Sequence, residues 1–177
     1  SNRALPFPLR DLQGSLYWDN RQLLVRNMTA NNGITRLVVD GKFVRQGESS
    51  PGRFDVNVSN LIFDERLRSH LPLSLRKVYD SLQPAGQADL QGTLIYDGRK
   101  SWQPLDFVMT FRNCTGTHVK FPYTVQQIHG TLRQRGESFD VDLKGRVGRR
   151  PATMTGLINN LSATTEAFFD FRIERLP

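Results

Sequence analysis

Hydrophobic residues recur at every second position along most of this chain. Leu12, Gly14, Leu16 and Trp18 share one side of such a run, and Leu37, Val39, Gly41 and Phe43 share one side of another. The same spacing joins Phe54, Val56 and Val58; Ala88, Leu90, Gly92, Leu94 and Tyr96; and Leu105, Phe107, Met109 and Phe111. It returns in Ile128, Gly130 and Leu132, in Phe139, Val141, Leu143, Gly145 and Val147, and in Ala167, Phe169, Phe171 and Ile173. Intervening positions are polar, as at Asp40 and Lys42, Asp55 and Asn57, or Asp140, Asp142 and Lys144. Such alternation describes a strand buried on one face, which is usual in antiparallel sheets and foreign to buried parallel ones. Turn-forming clusters separate the runs: Asp19-Asn20, Asn31-Asn32-Gly33, Gln46 to Gly52, Asp97-Gly98, Arg135-Gly136-Glu137 and Gly148 to Pro151. Short connections pair consecutive strands, so the expected fold is mainly β, a large curved antiparallel meander (gutter- or taco-like) of about ten strands.

The stretch from Asp64 to Leu82 breaks this rhythm. Leu75, Val78, Tyr79 and Leu82 follow helical spacing, Pro72 suits a helix start, and Gln83-Pro84-Ala85-Gly86 stops it. One short helical insert near residues 64–83 is expected, with a shorter turn over Asp64 to His70. The chain also resembles itself. Leu5-Pro6-Phe7 through Gly14-Ser15-Leu16 aligns with Phe121-Pro122-Tyr123 through Gly130-Thr131-Leu132, and Asp89-Leu90-Gln91-Gly92-Thr93-Leu94 repeats the ending. Repeat units over 5–63 and 121–177 around a helix-containing middle, 64–120, would form an array whose units lean on their neighbours. Gly14, Gly41, Gly92, Gly130, Gly145 and Gly156 lie inside strand patterns, where glycine marks bulges, bends or close approach.

The pattern poses a geometric problem. About ten strands at about 4.8 Å spacing make a sheet about 48 Å wide. A helix of about ten residues is about 15 Å long and covers a small part of it. Exposing the remaining apolar face costs about 25 cal/mol per Å². The sheet therefore folds into a sandwich, closes as a barrel, or curls into a gutter that holds apolar ligand, and composition leaves all three open.

Charge and chemistry narrow the field. The formal net charge is +7. The basic residues are scattered, without aromatics at base-stacking spacing, so nucleic acid is not an expected partner. A single cysteine, Cys114, excludes an intrachain disulfide framework and a multi-cysteine zinc site. His70, His118 and His129 lie far apart, with no paired spacing for a metal. No nucleophile elbow or phosphate-binding loop occurs, so no enzyme activity, catalytic residue, cofactor or metal is expected. The sequons at Asn27, Asn57, Asn113 and Asn160 read as chance. No apolar run reaches the roughly 18 residues of a membrane span. Ser1-Asn2 looks like the remnant of a cleaved tag, which would make this chain one segment of a longer protein.

The stretch Leu71-Pro72-Leu73-Ser74-Leu75 through Pro84-Ala85-Gly86-Gln87-Ala88-Asp89-Leu90-Gln91-Gly92 is similar to a recurring stretch of the AsmA-like family, planctomycete-type members included. Phe121-Pro122-Tyr123 through Ile128-His129-Gly130 resembles it too. The resemblance implies a periplasmic envelope protein, attached to the inner membrane by an N-terminal anchor lying outside this sequence. Its repeats would form a β-groove with an apolar inner face, binding or conducting phospholipid or other acyl chains between membranes. The other partners would be adjacent segments of the same full-length protein. The expected groove lining is Leu16, Trp18, Leu37, Val39, Phe43, Leu94, Phe107, Met109, Leu132, Val141, Leu143, Phe169 and Phe171. The competing expectation is a closed β-sandwich for glycan binding or scaffolding.

Overall fold

The computed structural model describes residues 10–71, 73–99, 101–119, 123–159 and 166–174, and for 73–75, 166, 167 and 169 the backbone alone. Strands β1 (Arg10–Trp18), β2 (Gln22–Asn32), β3 (Thr35–Val44) and β4 (Gly52–Ile62) precede helices α1 (Glu65–His70) and α2 (Leu73–Leu82). Then come β5 (Ala85–Tyr96), β6 (Trp102–Thr117), β7 (Thr124–Arg135), β8 (Ser138–Val147), β9 (Arg150–Asn159) and β10 (Glu166–Ile173). All ten lie in one sheet in chain order. The meander read from the alternation is thus what forms, as an open antiparallel sheet beginning at β1 and ending at β10.

The helical insert expected near residues 64–83 forms there, as two short helices. Asp64 caps α1, its carboxylate accepting from the Leu67 amide at 2.9 Å. Leu71 leaves the helix with φ −66° and ψ 143°. Proline follows it in sequence, which disfavours helical backbone at the residue before. The Arg68 guanidinium then ties α1 to α2, reaching Asp80 at 2.5 and 3.1 Å. This bond holds the Asp80 carboxyl below its usual range. The reading of Pro72 as a helix start, and the side chain of Leu75, lie outside the described residues.

Contacts divide the chain into two compact units. Among the described residues, one takes those of 8–61 with Leu90–Val108, and the other Ile62–Asp89 with those of 109–177. In the unit built on β1–β4, Val25, Gly41 and Phe54 lie abreast across β2, β3 and β4, as do Met28, Val39 and Val56. In the unit built on β7–β10, Leu132, Val141 and Gly156 lie abreast, and so do Gly130, Leu143, Met154 and Phe171. Paired residues share a face in an antiparallel sheet, so each unit has one apolar and one polar side.

Bulges interrupt both ladders at corresponding places. Between β1 and β2 the register runs Arg10↔Asn31 and then Gln13↔Thr29, three residues on β1 against two on β2. Between β7 and β8 it runs Gln126↔Arg146 and then His129↔Lys144, again three against two. The extra residue is Asp11 in one strand and Gln127 in the other, each left-handed at φ 52°. Gly14 and Gly130 follow three positions later at φ +156° and +132°. Asp11 and Gln127, like Gly14 and Gly130, are aligned in the repeat read from the sequence. The opening of that repeat, Leu5 to Leu9 and Phe121-Pro122, lies outside the described residues.

Candidate functional site

In the first unit the apolar face grows from the alternation strand by strand. Leu16 sits opposite Val25 and Trp18 opposite Leu23. Leu23 is also opposite Phe43, and Ala30 opposite Leu37. Phe43 faces Gly52 and Phe54 faces Gly41. These glycines let the rings lie flat on the facing strand: a Cβ on Gly52 would come within 2.6 Å of the Phe43 ring. Gly92 plays the same part under Phe107, at 2.6 Å. Phe107 therefore shares its face with Gly92, Leu94 and Tyr96. Tyr96 joins a cluster with Phe43, Phe54 and Trp102, with ring centroids 4.7 Å apart for Phe43–Phe54 and 4.9 Å for Tyr96–Trp102. Such edge-to-face and tilted contacts add roughly 0.5–1.5 kcal/mol per pair beyond area burial.

Burial along this face is graded. Phe54 and Val58 on β4 are each 7% exposed, whereas Leu16 and Trp18 on β1 are 63% and 73% exposed. Leu37, Val39, Phe43, Leu94 and Phe107 lie between, half-buried. A side chain here is buried by its neighbours on the sheet, so burial falls where neighbours run out. Leu16 and Trp18 belong to the apolar face by register and are open to solvent all the same.

The second unit shows the same arrangement. Val141, flanked by Leu132 and Gly156, is 5% exposed. Leu132, Leu143 and Met109 are half-buried, and Phe171 on β10 is exposed. Phe169 pairs with Gly156, and its side chain lies outside the described residues. Val125 and Ile128 both approach Gly145, which places them on the apolar face across the Gln127 bulge. In the helical segment Phe63 stacks on Phe111 at 5.9 Å and meets Tyr79 at 6.3 Å. Burial beside the α1 carboxylates pushes the Tyr79 hydroxyl up.

Several members of the face escape sequence reading. Leu23, Val25, Met28 and Ala30 on β2 change phase at the Asn27 bulge (φ 47°) and so do not alternate across it. Met154 and Ile158 on β9 do alternate, and that signal was available in the sequence. Trp102 joins the face only through its ring contacts with Phe43, Phe54 and Tyr96.

The opposite face is charged and satisfied locally. Asp40 and Asp55 stand directly across from each other. Asp40 accepts from the Asn27 amide at 2.8 Å, and Asp55 from the Thr93 hydroxyl at 2.7 Å. Arg112 pairs with Asp89, and Arg135 with Asp140. A shallow depression of about 300 Å³ is lined by Asn113, Gln127, His129, Gly145 and Arg146, so it takes residues from both faces. His129 meets its own segment, Nδ1 lying 3.0 Å from the Gln127 carbonyl, and His70 lies 2.8 Å from the Arg66 carbonyl. No group of three or more His, Cys, Asp or Glu side chains that could hold a metal ion occurs among the described residues. Cys114 is buried, its thiol donating to the Gln87 carbonyl at 2.9 Å, and burial pushes that thiol up from its usual range. No helix among the described residues is long and apolar enough to cross a membrane. Compared with protein-family models, curated proteins and solved structures, the chain matches none.

Proposed function

We propose that this chain is a non-catalytic segment of an AsmA-like envelope protein, and that its apolar sheet face binds phospholipid acyl chains in transit between membranes. The observation that carries the reading is the accessibility of that face. Leu16 and Trp18 are in register with an apolar row and lie mostly in solvent. A contiguous apolar surface left open marks a place where something apolar docks. An extended row of mainly aliphatic and aromatic carbon with no charged group set into it suits a hydrocarbon chain, which needs contact area and no directional bonds. The net charge of +7 favours anionic headgroups at the wet margin. The similarity of residues 71–92 to the AsmA-like stretch points the same way, and with it come a periplasmic address and an inner-membrane anchor in a longer protein.

A glycan platform would use the same exposed tryptophans. Trp18, however, is flanked by Leu16 and Leu23, whereas a sugar-stacking ring needs hydrogen-bonding neighbours. The sandwich form of that reading also sits poorly with a single sheet in chain order.

Both tryptophans serve as reporters, since Trp18 and Trp102 are exposed on the apolar face. Phospholipid brominated along its acyl chains should quench their fluorescence, and the headgroup-matched unbrominated lipid should compete. Native mass spectrometry of protein from a lipid-rich host should show phospholipid adducts. Unquenched tryptophan at saturating brominated lipid, together with a bare mass spectrum, would remove the acyl-chain reading. Quenching abolished by an oligosaccharide would favour the glycan platform.

A further inference from the structure

The polar side of the β7–β10 unit sorts its charges into rows. His129, Lys144, Thr153 and Arg172 lie abreast across β7, β8, β9 and β10. Arg146 follows Lys144 on the same side of β8, between Gln126 and Pro151. The row on the other flank holds Thr131, Asp142, Thr155 and Asp170. Lys144, Arg146 and Arg172 form no ion pair with these acids or with any other described residue. Arg112, on β6, is already paired with Asp89.

A depression opens beside the basic row. The Gln127 bulge breaks the β7–β8 ladder between Gln126 and His129, and Asn113 on neighbouring β6 is left-handed as well, at φ 52°. The resulting space, about 300 Å³, is lined by Asn113, Gln127, His129, Arg146 and the buried Gly145, and none of these carries a carboxylate. Arg146 gives one N–H to the Arg149 carbonyl at 3.1 Å, which leaves the rest of its five-donor fork. A carbonyl only accepts, so His129 Nδ1, 3.0 Å from the Gln127 carbonyl, carries its hydrogen. Nε2 is left to accept from a protonated anion or, once protonated, to donate to a bare one.

We infer that this depression binds a phosphate group. Arg146 is its main recognition element, because the guanidinium fork matches phosphate oxygens two at a time. His129 and the Asn113 and Gln127 amides add hydrogen-bonding groups, and Lys144 adds charge. A phosphate carries about two charges on tetrahedral oxygens, which suits groups converging from β6, β7 and β8. A carboxylate, planar and singly charged, would leave more of them unmet. The phosphate is that of a lipid headgroup or one free in solution. The charged members stand on the polar side, so the inference does not rest on the acyl-chain reading.

Two binding assays on the whole chain test it: calorimetric titration with inorganic phosphate, and co-sedimentation with phosphatidylcholine vesicles with and without phosphatidic acid. Arg133, Lys144 and Arg146 are exposed, so glutamine at each leaves the unit folded, which circular dichroism checks. Arg133→Gln is the control, since it removes the same charge from the same side of β7, opposite Asp140 and beyond the acidic row. Saturable binding should weaken about tenfold in Arg146→Gln and several-fold in Lys144→Gln, and hold in Arg133→Gln. Sedimentation that needs phosphatidic acid and fails in Arg146→Gln assigns the phosphate to a headgroup. Phosphate titration without such sedimentation assigns a soluble phosphate. Equal weakening by Arg133→Gln would reduce the effect to diffuse charge and overturn the inference. So would binding that Arg146→Gln leaves intact, or none in either assay.

Discussion

Truncating Phe54 to alanine should damage this fold far more than truncating Trp18, although tryptophan is larger and both lie on the same apolar face. Phe54 is 7% exposed and Trp18 73%. Aromatic side chains bury roughly 150–250 Å² when fully enclosed. Taking ~200 Å² for phenylalanine at ~25 cal/mol per Å², Phe54→Ala costs about 5 kcal/mol, at the top of the usual range for core phenylalanines. Phe43 and Trp102, 4.7 and 5.7 Å away, can lean into the space, which lowers this to ~3 kcal/mol. Trp18 withholds about a quarter of its surface from water, so its loss costs ~1.5 kcal/mol. Urea unfolding followed by far-ultraviolet circular dichroism reads the difference. With a slope of roughly 2 kcal/mol per molar, the midpoint should fall by ~1.5 M for Phe54→Ala and by less than ~1 M for Trp18→Ala. Equal shifts would refute the premise that burial on this face is graded from β4 outward to β1.

Other expectations follow from individual positions. Gly130→Ala puts a Cβ against the Asp142 carbonyl and 3.0 Å from the Leu143 Cα, at φ +132°. It should cost about 1–3 kcal/mol, while Gly136→Ala, in an open turn at φ +62°, should cost about 1 kcal/mol, as urea midpoints will show. The Cys114 thiol, buried and raised in pKa, should react with a disulfide reagent at least about tenfold more slowly in the native protein than in denaturant. The Asp80 carboxyl is depressed by Arg68, so its contribution to stability is present above the ordinary carboxylate pKa of about 4 and is lost as pH falls through the lower folded value. Asp80→Asn should flatten that part of the profile of urea midpoint against pH, leaving the two proteins most alike in acid.

The sequence was informative where one ladder runs without interruption. β3, β8 and β4 as far as Ser59 alternate cleanly, so strand, face and neighbour could all be read from their residues. β2 was hidden because Asn27 shifts the phase between Val25 and Met28. α1 looked like a turn because six residues hold little periodicity, and its evidence is the Asp64 cap and the Arg68–Asp80 bond. Face membership of Leu16, Trp18, Val141 and Leu143 was legible, and their accessibility was not. Period-two spacing says which side a residue takes. How much of it meets water depends on which strands flank it: Val141 has a strand on each side, and Trp18 lies on the first strand of the sheet.

The order of the strands bears on how the chain reaches this state. Every hydrogen-bonded neighbour in the sheet is also a neighbour in sequence. Large sheets usually fold slowly because distant segments must find each other before any contact rewards them. Here Gly33, Gly136 and Gly148 each close a tight link between strands that pair at once. Assembly can advance one hairpin at a time from either end, and each added strand finds its template already in place. A ribosome releasing this polypeptide would deliver the strands in the order in which they are used.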